Sequence, residues 1–86
     1  MIPLYGFLQG DTIGLLILAE KSDTVRDLAN SLQLAASVRV ARRPDVEVWY
    51  KGHKLDSTRT IAEYGLSPLE RFDVIAEGSS GVSEGG

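Results

Sequence analysis

An α+β fold, with one main helix lying across one face of a mixed sheet of four to five strands, is what this sequence predicts. Three observations carry it. The chain opens on two apolar segments separated by Gln9-Gly10-Asp11, a single stretch of three- and four-residue apolar spacing follows, and further short strand-like segments with only one helical turn among them come after. The 86 residues make one domain, and at this size only about 60–65% of the unfolded surface is buried on folding, so the core is modest. A content of 43% hydrophobic and 24% charged residues is that of a globular chain.

Ile2 to Leu8 and Thr12 to Ala19 read as the strands of a hairpin, because Gly10 can take the left-handed turn geometry. Asp23 reads as the N-cap of the helix and Asp27 sits near its positive end, ahead of Val25, Leu28, Ala29, Leu32, Ala35 and Ala36. The helix is expected to end near Ala36. Val38 to Pro44, with Arg39, Arg42, Arg43 and a helix-breaking proline, reads as a connecting loop. Val46 to Lys51 is the third strand, and Gly52-His53-Lys54 turns the chain into a very short strand at Leu55. Thr60-Ile61-Ala62-Glu63-Tyr64-Gly65 reads as one helical turn closed by glycine, and Arg71 to Ala76 as the last strand. This order is what a β-grasp sheet requires. The domain is expected over residues 1–77, with the Gly/Ser-rich residues 78–86 forming a mobile tail.

Composition removes several function classes. A net charge of −3 and a pI near 5.0 give no basic field for phosphates, so neither nucleic acid nor an anionic membrane is an expected partner. The absence of cysteine excludes disulfides and thiolate chemistry and makes the cytoplasm the default location. The apolar run Ile13 to Ala19 is far short of the roughly 20 residues that span a bilayer. Catalytic groups are missing too. His53, the one histidine, lies in a turn without the carboxylates an iron site needs. Ser22, Ser31, Ser37, Ser57 and Ser67 have no neighbouring histidine and fit caps and turns. Gly78-x-x-Gly81 lacks the lysine and helix of a phosphate loop. The chain is therefore not expected to be an enzyme by itself, nor to hold a metal or cofactor.

The informative feature is a sheet apolar on both sides. Strand parity turns Ile13, Leu15 and Ile17 toward the helix and Leu16 and Leu18 away from it. Val46, Val48 and Tyr50 point inward while Glu47, Trp49 and Lys51 point outward, and on the last strand Phe72 and Val74 face in and Ile75 faces out. An antiparallel sheet with one wet face alternates cleanly, so Leu16, Leu18, Trp49 and Ile75 define a candidate docking surface. The competing readings are ordinary scattered surface apolar residues or a slipped strand parity. Arg39, Arg42 and Arg43 are either clamps for partner carboxylates or a solvated loop.

Two resemblances follow. Through Gly10-x-Thr12-Ile13-x-Leu15, Asp23-Thr24-Val25, Gly52-x-x-Leu55 and Thr60-Ile61-Ala62-Glu63-Tyr64 the ordered part resembles ubiquitin, with Trp49 falling where ubiquitin has the central isoleucine of its binding patch. That speaks to fold more than to function. Through Asp23-Thr24-Val25, Arg39-Val40-Ala41-Arg42-Arg43-Pro44 and Thr60-Ile61-Ala62-Glu63-x-Gly65-Leu66-x-Pro68-x-Glu70-x-x-Asp73-Val74 the chain resembles the small γ subunit of the hydroxylase of toluene-monooxygenase-type bacterial multicomponent di-iron monooxygenases. The resemblance implies a non-catalytic structural subunit docked on the large iron-bearing α subunit, with a β subunit, in an (αβγ)2 assembly served by a Rieske ferredoxin, a reductase and an effector protein. It implies hydroxylation or epoxidation of aromatic or alkene hydrocarbons, with the di-iron centre in the large subunit. The proline-containing first strand and the long tail depart from the family's commoner pattern. Two alternatives stay open: a ubiquitin-like modifier or sulfur carrier activated at Gly85-Gly86, whose pair lies some ten residues beyond Ala76, and a free-standing protein-binding adaptor.

Overall fold

In the computed structural model, which describes residues 1–77, the elements are β1 (Ile2–Leu8), β2 (Gly14–Ala19), α1 (Val25–Ala35), β3 (Val46–Tyr50), β4 (His53–Leu55), α2 (Ile61–Tyr64) and β5 (Arg71–Ala76). The tail expected over 78–86, with Gly85 and Gly86, lies outside the described residues. The strands form one five-stranded sheet in the order β2-β1-β5-β3-β4. β1 and β5 run parallel at its centre and the other pairs are antiparallel, so the sheet is mixed. Ile2, Leu4 and Leu8 of β1, Ile17 and Ala19 of β2, Val48 of β3 and Phe72 and Val74 of β5 alternate onto one face. There they meet Val25, Leu28, Ala29 and Leu32, the apolar stripe of α1.

Gly6 marks where helix and sheet come closest. A Cβ at that position would sit 2.7 Å from the Phe72 ring and 2.9 Å from Leu32, so β1 can pass between them only without a side chain.

Four boundaries differ from the sequence reading, one of them at β4, which starts at His53 and not at Leu55, so His53 and Lys54 belong to the strand and not to the turn. β2 starts at Gly14, two residues later than expected; Ile13 therefore lies in the loop, 46% exposed, and does not face the helix. The N-cap is Thr24, not Asp23. Its hydroxyl accepts from the Asp27 N–H while the Asp27 carboxylate accepts from the Thr24 N–H. Asp23 is occupied elsewhere, its carboxylate accepting from the Glu20 N–H at 2.9 Å. β3 ends at Tyr50 because Lys51 and Gly52 both take positive φ (51° and 79°), the two-residue hairpin turn that brings β4 back at His53. Thr60 caps α2 with a second reciprocal pair, and Gly65 ends it in the left-handed region. The two caps are joined, since Val25 N–H donates to Arg59 O and Ile61 N–H to Asp23 O.

Candidate docking surface

The face of the sheet opposite α1 gathers side chains from all five strands. The β1–β2 register sets Pro3 opposite Leu18, Tyr5 opposite Leu16 and Phe7 opposite Gly14. Next comes β5, where Tyr5 meets Arg71 and Phe7 meets Asp73. On β3 Trp49 lies opposite Asp73 and Glu47 opposite Ile75, and Lys54 of β4 lies opposite Trp49. Leu16, Leu18, Trp49 and Ile75 therefore share one face, as the alternation predicted. They are not one cluster. Leu16 and Leu18 stand on the β2 edge, 53% and 60% exposed, while Trp49 and Ile75 are half-buried beside a hollow on the far side of β1, also lined by Arg71 and Asp73.

The ground between is polar at its head groups and apolar beneath. The Arg71 guanidinium lies 3.9 Å over the Phe7 ring and its Nε donates to Asp73 Oδ1 at 3.0 Å. Trp49 is held from below: its indole Nε1 donates to Glu47 Oε1 at 3.0 Å, and Lys54 Nζ lies 3.6 Å from the other carboxylate oxygen. Glu47 is consequently buried although it points to the outer side, and the Trp49 ring is fixed in place with its one polar atom already satisfied. At the hollow's rim Tyr50 donates its hydroxyl to Glu70 Oε1 at 2.6 Å. That bond first, and then the Ser67 N–H, holds the Glu70 carboxyl below its usual range; the same bond pushes the Tyr50 phenol up. The Glu70 charge raises Lys51, whose Nζ lies 3.6 Å away.

The arginines divide. Arg39 grips Asp11 in the β1–β2 loop through Nε and Nη2, both at 2.9 Å, which lowers the Asp11 carboxyl and raises the guanidinium. Arg42 and Arg43 are exposed and make no ion pair among the described residues. The backbone of Arg43 is clamped by Gln33 of α1, whose Oε1 accepts from its N–H at 2.8 Å and whose Nε2 donates to its carbonyl at 3.1 Å. The sequence reading passed over Tyr5 and Leu69. Tyr5 was readable, since the parity that buries Leu4 turns Pro3, Tyr5 and Phe7 outward. Leu69 was not: its exposure comes from a positive φ of 68° in the turn before β5, where its N–H donates to Pro3 O.

Among the described residues no three His, Cys, Asp or Glu side chains group closely enough to hold a metal ion, and no helix is long and apolar enough to cross a membrane.

A five-stranded mixed sheet crossed by one helix is the ubiquitin-like class. Solved structures agree: a ubiquitin of Caldiarchaeum subterraneum matches with a TM-score of 0.73 at 16% identity over 98% of both chains. A ubiquitin-like domain from Arabidopsis thaliana matches with a TM-score of 0.71 at 15% identity, over 96% of this chain and 84% of that one. At such identity the likeness concerns the fold alone. The family model for toluene-4-monooxygenase system protein B (TmoB) matches residues 1–75, and the chain belongs to that family. A chain in the solved toluene 4-monooxygenase HD complex with the inhibitor 4-bromobenzoate is similar to it, with a TM-score of 0.81 and 26% identity over 88% of this chain and 98% of that one. No curated protein matches the sequence. Family and structural match together make the chain a gamma-type accessory subunit of a monooxygenase hydroxylase.

Proposed function

We propose that the chain is the non-catalytic, structural γ subunit of a cytoplasmic multicomponent di-iron monooxygenase that hydroxylates or epoxidises aromatic or alkene hydrocarbons. The observation that carries this reading is the family match over residues 1–75. The complex is a dimer of αβγ trimers, supplied with electrons by a Rieske ferredoxin and a reductase and regulated by an effector protein. The described residues of this chain do not fit a di-iron site, so the iron ligands belong to the large subunit, and the γ subunit braces the helices that carry them. It holds to that subunit through Leu16, Leu18, Trp49 and Ile75 on the outer face. Arg42 and Arg43 meet partner carboxylates, and Arg39, paired with Asp11, keeps their loop in place. A pre-fixed, half-buried tryptophan with its indole N–H already bonded supports the assignment of Trp49 as an anchor. The family match favours neither a modifier acting through Gly85-Gly86 nor a free adaptor.

Co-expression with the large and β subunits tests the reading. A complex isolated with this chain, loss of assembly when it is omitted, and neither iron nor oxygenase activity in the chain alone are the expected results. A fully assembled, fully active hydroxylase formed in its absence would overturn the structural role.

A further inference from the structure

The sheet order leaves β2 and β4 as edge strands. β4 is three residues long, but β2 reads Gly-Leu-Leu-Ile-Leu-Ala, with no charge and no proline, the usual devices that blunt an exposed edge. Its backbone direction follows from its neighbour. Tyr5 N–H donates to Glu70 O at 2.9 Å, Leu69 N–H to Pro3 O at 2.6 Å and Gln9 N–H to Val74 O at 2.8 Å, so the odd-numbered residues of β1 turn their backbone groups toward β5. Ile2, Leu4 and Gly6 therefore turn theirs toward β2, where they face Ala19, Ile17 and Leu15. Leu16 and Leu18 are left aiming N–H and C=O away from the sheet. The next position of the same parity, Glu20, is closed by the fold itself: its N–H donates to Asp23 Oδ2 at 2.9 Å and its carbonyl accepts from the Asp23 N–H at 3.0 Å. The open stretch thus carries Leu16 and Leu18, whose side chains stand exposed on the outer face.

We infer that this edge receives an extended segment of the large hydroxylase subunit, which adds a strand to the sheet by pairing with the backbone of Leu16 and Leu18 and lays alternate apolar side chains against theirs. The inference rests on the γ-subunit reading and specifies how that contact is made. The chain's own residues 78–86 do not suit the edge, since Val82 is their one large apolar side chain. A second copy does not suit it either. A ladder of two leucines per chain covers far less than the roughly 800 Å² per partner of a standard interface, and it joins two chains of net charge −3. A large subunit seated on the outer face reaches the edge without a break, because Leu16 and Tyr5 lie side by side on that face.

Leu16→Pro tests the pairing in the full chain co-expressed with the hydroxylase subunits. It removes an N–H that the fold does not use, and proline is tolerated at such edge positions. Capture of the large subunit should fall at least ten-fold, while Leu16→Thr, which keeps the N–H, should lose less. In the wild-type complex the Leu16 and Leu18 amides should exchange hydrogen at least ten-fold more slowly than in the free chain. A Leu16→Pro chain that folds, by circular dichroism, and is captured like wild type overturns strand addition, as do unchanged exchange rates at both leucines; in either case capture of the wild type leaves the γ reading standing. If Leu16→Pro does not fold, the exchange rates decide alone. A wild-type chain that captures no hydroxylase subunit defeats the γ reading and this inference with it. A stable homodimer that Leu16→Pro dissolves assigns the edge to a second copy and overturns the proposal.

Discussion

Tyr50 and Glu70 lie 20 positions apart and meet over 2.6 Å, a contact with no local trace in the sequence because it exists only once the end of β3 has been placed beside the turn leading into β5. The same holds for Arg39 and Asp11, 28 positions apart: Arg39 read either as a clamp for partner carboxylates or as part of a solvated loop, because its pairing with Asp11 appears only in the folded chain. The Tyr50 bond needs a protonated phenol and an ionised carboxylate, and its effect on stability can be followed by pH. Glu70 titrates lower in the folded chain than in the unfolded one, so its contribution is complete above the ordinary carboxylate pKa and is lost as pH falls through the lowered value. Tyr50 titrates higher when folded, so its contribution is complete below about pH 10, the ordinary phenol pKa, and is lost as pH rises through the raised value. Tyr50→Phe should therefore be less stable than wild type on the neutral plateau, with the difference narrowing at both ends. Urea denaturation across a pH series checks this; a difference constant from acid to alkaline pH would show that the bond contributes nothing titratable.

Element order was legible because each element buries one face, and burial writes a period of two or of three to four into the sequence. Ends were less so. Asp23 and Thr24 are both good capping residues, and the choice between them was made just past the end of β2, where the Glu20 N–H claims the Asp23 carboxylate. Gln33 shows the opposite difficulty. A polar side chain four residues after Ala29, beside the apolar stripe, it drew no reading from the sequence, yet it is 2% exposed, because the arginine loop folds back over it and takes both ends of its amide. Removing that amide leaves the Arg43 N–H and carbonyl partly covered and without their partners. Gln33→Ala should cost about 1–3 kcal/mol in urea unfolding and should speed hydrogen exchange at Arg43 while sparing the β1–β5 pairing. A cost below about 0.5 kcal/mol, a fraction of one net hydrogen bond, would show that water replaces the side chain and that the loop is held from its Arg39–Asp11 end instead.

At the scale of the whole molecule, the described residues cover the sheet with α1 on one face and with no element on the other, and a domain of this size has little core with which to tolerate that. The proposed binding of the outer face to a larger subunit would remove apolar surface from water and stabilise the fold by mass action, about 2.7 kcal/mol at a partner concentration a hundred times Kd. The melting temperature of this chain should accordingly rise in the presence of the hydroxylase subunits. Trp49→Ala should remove much of the rise and weaken assembly ten-fold or more, about 1.4 kcal/mol. Leu34 supplies the control, since it is 65% exposed but belongs to α1, on the other side of the sheet. Leu34→Ser should leave both assembly and the rise intact. Melting of the two free variants separates this from folding, because Trp49→Ala also frees the buried Glu47 from the indole N–H and lowers the stability of the isolated chain. If Leu34→Ser weakens assembly as much as Trp49→Ala does, the helix side shares the contact; if neither does, the sheet's outer face is not where this subunit is held.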